Sequence, residues 1–160
     1  MKRKIFIIFT FVIMILIFCF SMENSSESSH RSVNITEFIV KIFVSNYEDM
    51  SADDKKYLFK QTEHIIRKLA HYSIYTVFGF LLSLSVGSGK FMSRRTLIIV
   101  SFGFVYACSD EFHQYFVSGR SCKFTDVMID TGGVITGLII SMLVLHIYDR
   151  FKHKSFSNPL

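Results

Sequence analysis

The sixteen residues from Ile5 to Phe20 read IFIIFTFVIMILIFCF, with Thr10 as the only polar side chain. Such a run has no polar face to turn towards water. With its flanks it is long enough to cross a hydrocarbon core of about 30 Å as a helix rising about 1.5 Å per residue. Met1-Lys2-Arg3-Lys4 precedes it, as in a signal-peptide n-region. No small-x-small pair follows in Cys19-Phe20-Ser21-Met22-Glu23, and bulky Phe18 precedes Cys19. The expectation is an uncleaved first transmembrane helix over residues 1–22.

Half of the 160 residues are apolar, with one Pro, no Trp and a mean hydropathy of +0.37. That excludes collagen-like and disordered classes. Cys19, Cys108 and Cys122 contain no C-x-x-C pair, so neither a disulfide framework nor a zinc knuckle is indicated.

Three further spans are expected. Residues 23–32 are polar, so the chain leaves the membrane there. Ile35, Phe38, Ile39, Ile42 and Phe43 then recur at three- and four-residue spacing, the stripe of a short helix lying in the interface. Ser51 with Asp54 resembles a capping box opening one long helix. With no Gly before Gly79 and no Pro, that helix runs into a second span from Leu69 to Val86. Gly87-Ser88-Gly89 breaks the chain before Lys90, Arg94 and Arg95. A third span begins near Leu97 and continues through SFGFVYACSDEFHQYFV; a fourth runs from Val127 to Tyr148, ahead of a frayed basic tail. The expected fold is an all-α integral membrane protein: four transmembrane helices in a small bundle, with short amphipathic helices in an extracytoplasmic segment over 23–63. A three-span domain covers 64–148 and a cytoplasmic tail 149–160.

Orientation follows from the distribution of basic residues. With a cytoplasmic N-terminus, the inner segments carry nine Lys and Arg against Asp149 alone, and the outer segments carry the other nine against twelve acids. Both termini are therefore expected in the cytoplasm of a bacterial cell. The net charge of +5 is a topology signal, and no nucleic-acid partner is expected.

Ionisable residues inside a span cost about 2.5–3.5 kcal/mol each at mid-helix, so they need a reason. Arg67, His71 and Tyr75 lie four apart on one face of the second span, with Lys68 beside them. Asp110, His113 and Gln114 share a face of the third, next to Glu111. Asp126 and Asp130 are four apart at the start of the fourth, and Arg120 sits in the intervening loop. In this topology all of them belong at the outer side. Arg67 or Arg120 paired with Asp110 or Asp130 would make a structural lock between helices, and Asp126 would suit a helix cap. Four carboxylates against two Arg exceed what a lock requires, which favours a ligand-binding or catalytic cluster. Two stripes of small residues, Gly79-x-x-x-Ser83-x-x-x-Gly87 and Gly133-x-x-x-Gly137-x-x-x-Ser141, would let helices approach closely, within the bundle or in a homodimer.

The strings RKLAHYSIYTVFGFLL and YACSDEFHQYFVSGRSCKFTDVMIDTGGVITG resemble the VanZ-like family of bacterial membrane proteins. Lys68-x-x-His71-x-x-x-Tyr75 with Gly79, Asp110-Glu111-x-His113-Gln114, Gly119-Arg120, Asp126, Asp130 and Gly133 carry the resemblance, over about residues 64 to 148. The usual Pro before Gly-Arg is Ser118 here, a departure bearing on loop stiffness more than chemistry. The resemblance implies a small envelope protein whose founding member gives low-level resistance to the lipoglycopeptide teicoplanin. It supplies no settled biochemical activity.

Two functions fit these residues. In a binding protein for an envelope lipid, wall precursor or lipoglycopeptide, Arg67, Lys68 and Arg120 contact phosphate or carboxylate. His71, Tyr75, Asp110, Glu111, Gln114, Asp126 and Asp130 then complete the site. In an enzyme acting on a lipid-linked substrate, His71 or His113 is the general base and Asp110 or Asp130 orients it. Glu111 is a further candidate, and Arg120 stabilises a developing anion. No G-x-S-x-G or H-E-x-x-H occurs. His71, His113, Asp110 and Glu111 are metal-ligand types, but no ligand-pair spacing enforces a site, and neither metal nor cofactor is expected.

Overall fold

In the computed structural model, which describes residues 2–47, 49–87 and 93–156, the first apolar run is helix α1 (Lys2–Ser21). Most of its apolar side chains point outward: Ile5, Ile8, Phe9, Phe11 and Ile15 are exposed, while Thr10, Ile17 and Ser21 are buried. That inside-out pattern suits a hydrocarbon surround.

Helix α2 (Ser25–Phe43) begins earlier than the sequence suggests. Residues 23–32 read as a polar exit, with a helix only from Ile35. The structure starts the helix at Ser25 through a reciprocal capping box: Asn24 Oδ1 accepts from the Glu27 N–H at 2.9 Å, and the Asn24 N–H donates to Glu27 Oε2 at 3.2 Å. Two end groups are thus satisfied by side chains that composition alone marks only as polar.

Helix α3 (Ala52–Val86) is the expected continuous rod, capped where Ser51 Oγ accepts from the Asp54 N–H at 3.2 Å. It ends at Gly87, whose φ of 75° is left-handed. Arg3 Nε donates to Ser85 O at 2.6 Å and Arg95 Nη1 to Gly87 O at 2.7 Å, so two cations meet the negative end of the α3 dipole. Ser88 and Gly89, the rest of the expected break, lie outside the described residues.

Helix α4 (Arg94–Gln114) stops before Val117, where the chain enters turns. Helix α5 (Phe124–Phe156) runs through most of the segment expected to fray, and the remainder lies outside the described residues.

Among the described residues three helices are long and apolar enough to cross a membrane: Arg3–Ser21, Ala52–Val86 and Phe124–Lys152. The expected count was four. The difference is α4, whose last turn and a half carries Asp110, Glu111, His113 and Gln114. The protein is a multi-pass, all-helical membrane protein with three such spans.

The most extensive packing joins α3 and α5, and the pairs Lys68–Asp126, Thr76–Gly137 and Ser83–Ser141 show that they run parallel. A side chain on Gly79 or Gly137 would collide with backbone of the facing helix, Val134 and Thr76 respectively. Ser141 Oγ donates to Ser83 Oγ across the same seam. The two small-residue stripes are therefore taken up by packing within the chain. Helix α1 runs antiparallel to α3, with Thr10 and Ser85 hydroxyls 3.0 Å apart near one end. At the other end Arg120 Nη2 donates to Phe20 O at 3.2 Å. The C-terminal ends of α1 and α4, the N-terminal end of α5 and the middle of α3 thus meet at one level.

Candidate functional site

Each helix delivers its polar residues to this level for a local reason. On α3, His64, Arg67, Lys68 and His71 follow helical spacing and form one stripe. On α5, Asp126 lies in the first turn, where the helix dipole favours an anion, and Asp130 follows one turn deeper. Parallel packing sets these stripes in register. Lys68 Nζ lies 2.8 Å from Asp126 Oδ1, and His71 Nδ1 lies 3.9 Å from Asp130 Oδ2.

The loop after α4 closes the site. Its turn at residues 117–120 is held by Arg120 N–H to Val117 O at 3.1 Å, with Gly119 at a φ of 77°. A third turn residue at positive φ is what a type II turn requires, and Ser118 holds the preceding position, where Pro is favoured. Glu111 Oε2 accepts the Lys123 N–H at 3.0 Å and pins the far end of the loop.

Together these elements enclose a polar cavity of about 230 Å³. Its cationic lining is Arg67, Lys68, Arg120 and Lys123, joined by His64 and His71; Glu111, Asp126, Asp130 and Gln114 complete the polar wall. Lys68–Asp126 is an ion pair between helices, whereas Arg67 Nη2 pairs on its own helix with Glu63 Oε1 at 3.5 Å. Neither Arg67 nor Arg120 forms the expected lock with Asp110 or Asp130. Arg67 Nε and Arg120 Nε are buried without a hydrogen-bond partner. Burial lowers the Arg120 pKa from its ordinary value and Arg67 adds to that, while Asp110 and Glu111 oppose it.

Beside the polar cavity lies an apolar one of about 260 Å³. Ile17 and Phe20 of α1, Ile35 of α2, and Ile66, Ala70 and Ile74 of α3 form its greasy wall. Arg67, His71 and Arg120 line both cavities and mark their junction.

Tyr75 and Asp110 are buried outside the lining of the polar cavity. Gln114 Nε2 donates to Asp110 Oδ2 at 3.1 Å. The hydroxyls of Ser21 and Tyr75 are buried without a hydrogen-bond partner. His113 is not brought into the cluster. Its ring packs on Phe18 at 4.8 Å and lines another cavity with Tyr106, Phe112 and Phe116, which Asp110 borders from the cluster side. Three residues on from Asp110 is about 300° of helical rotation, which carries His113 round the opposite flank from Gln114. No metal site is expected from the sequence, but among the described residues the donor atoms of His71, Asp110 and Asp130 approach one another, without His113 or Glu111.

Sequence reasoning missed His64, Glu63, Lys123 and the contribution of α1. His64 and Glu63 were legible, since each precedes a named α3 residue by one helical turn. The placement of Ser21 and of the Phe20 carbonyl depends on how α1 docks, which no local pattern encodes.

Converging polar side chains inside a helical bundle with lipid-facing apolar surfaces define a multi-pass membrane protein with a buried polar site. The chain belongs to the VanZ/LLP1 family, whose model matches residues 6–145. That match takes in α1 and α2 as well as the region where the motifs lie. Searches among curated proteins and among solved structures gave no match.

Proposed function

We propose that this protein binds an anionic amphiphile at the outer face of the bacterial cytoplasmic membrane, with α4 as a fourth span and both termini inside. The ligand class is an envelope lipid, a lipid-linked wall precursor or an acylated glycopeptide. One observation carries the reading: Arg67 and Arg120, each with a buried and unpartnered Nε, stand where a charged cavity opens beside an apolar one. A phosphate or carboxylate head would satisfy those donors in charge-assisted hydrogen bonds. An acyl chain would lie against Ile17, Phe20, Ile35 and Ile74.

The test is mass spectrometry of lipids retained on the purified protein. Enrichment of an acidic acylated molecule over bulk membrane composition, lost in Arg67→Gln and Arg120→Gln, is the expected result. Retention of bulk lipid alone, unchanged by either substitution, would sink the reading.

A second reading, chemistry on the same ligand, is favoured by His71 lying 3.9 Å from buried Asp130 at the cavity wall. A histidine oriented by a carboxylate is a general base. A modified lipid accumulating on incubation would distinguish it from simple binding.

Resistance to teicoplanin falls under the same ligand class, because its acyl tail places it at the membrane. Expression in a susceptible host is expected to raise tolerance to teicoplanin more than to vancomycin. An unchanged response to both would remove that phenotype while leaving the lipid reading in place.

A further inference from the structure

We propose that His71, Asp110 and Asp130 form a binding site for a divalent transition-metal ion at the wall of the polar cavity. The three side chains come from α3, α4 and α5, and their donor atoms all lie within 4.8 Å of one another. Tetrahedral bonds of about 2.1 Å place ligand atoms about 3.4 Å apart, so these donors would close by about 1.4 Å at most to share one ion.

An independent observation points the same way. Asp130 is 1% exposed, and its Oδ2 has no hydrogen-bond partner. Asp110, also buried, is the second carboxyl of the site. A buried carboxylate needs a cation or donor to offset lost hydration, and two close together need it more. Among the described residues no Lys or Arg is ion-paired with Asp110 or Asp130: Lys68 pairs with Asp126, Arg67 with Glu63 through Nη2, and Arg120 Nη2 reaches the Phe20 carbonyl. A divalent ion bound by two carboxylates and a neutral imidazole leaves the site without net charge.

The donor set selects the ion. One imidazole and two carboxylates suit zinc or manganese, whereas magnesium and calcium prefer all-oxygen sites. Gln114, donating to Asp110 Oδ2, fixes the orientation of that carboxyl, as partners of metal ligands commonly do. His71 and Asp130 also line the polar cavity, so the remaining coordination positions are reached from it. The metal would then meet an oxygen of whatever head group the cavity holds. The site itself stands independently of the amphiphile reading.

The experiment uses full-length protein in detergent micelles, stripped with EDTA and titrated with zinc and, separately, manganese. One equivalent of either should be retained on dialysis, measured by elemental mass spectrometry, and should raise the melting temperature. Asp130→Asn and His71→Gln should each weaken binding at least tenfold and remove the thermal shift. His146→Gln, exposed towards the C-terminal part of α5, should leave both unchanged. Substoichiometric retention by the wild type overturns the proposal, and that measurement does not depend on any variant folding. So does equal binding by wild type and Asp130→Asn, or a response to magnesium and calcium alone.

Discussion

Lys68 on α3 and Asp126 on α5 form an ion pair at 2.8 Å across the polar cavity, joining two helices at positions 58 residues apart in the chain. Both side chains are partly exposed, so the pair contributes little to stability, about 0.2–1 kcal/mol. Its larger consequence is for ligand affinity. Asp126 competes with any anion for the Lys68 ammonium. Asp126→Asn is expected to tighten binding of an acidic lipid about two- to fivefold, and Lys68→Met to weaken it by a similar factor. Titration followed by native mass spectrometry measures both. Equal loss in the two variants would mean that the pair only holds the helices together.

The α3–α5 seam predicts a contrast between two neighbouring glycines. A Cβ on Gly137 would strike the Thr76 carbonyl, whereas one on Gly132 would meet only Tyr72 Cε2 at an ordinary 3.6 Å. Gly137→Ala should destabilise by about 1–3 kcal/mol or more, because backbone cannot rotate aside. Gly132→Ala should be neutral or stabilising by about 0.5–1 kcal/mol through helix propensity. Melting of the two variants in one detergent decides this; similar melting temperatures would contradict the close helix approach.

The loop turn predicts a stabilising substitution. Ser118 has a negative φ and precedes Gly119, which is at 77°. Ser118→Pro should restrict the unfolded chain and raise stability by about 0.4–1 kcal/mol. Gly119→Ala, forced into a left-handed conformation, should lower it. A drop in melting temperature for Ser118→Pro would show that the turn is not of the proline-compatible type.

Membrane orientation is open to labelling. In a variant lacking Cys19, Cys108 and Cys122, single cysteines at Ser28 and Ser118 should react with an impermeant maleimide on intact cells. A cysteine at Ser155 should react only after lysis. Labelling of position 155 from outside would place the polar cavity on the cytoplasmic side.

Much of this architecture is written in local sequence. The apolar runs set α1, α3 and α5. Ser51 and Gly87 bound α3, and three- and four-residue spacing puts Arg67 with His71 and Asp126 with Asp130 on common faces. Local pattern succeeds there because helix geometry converts spacing into direction without reference to any partner. It fails at the start of α2, where the Asn24–Glu27 box opens the helix inside a polar stretch, and at His113, where one residue's rotation decides which cavity a side chain enters.

Tertiary structure alone decided the rest. The parallel register of α3 and α5, fixed by glycines that bring backbones together, makes Lys68 meet Asp126 and His71 face Asp130. Docking of α1 brings the Phe20 carbonyl to Arg120, and leaves an apolar cavity beside a charged one. The sequence determined which side chains would need partners, because charge and hydrogen-bonding capacity are properties of each residue. Which partners they found depended on contacts between helices far apart in the chain, and those are set only when the whole bundle packs.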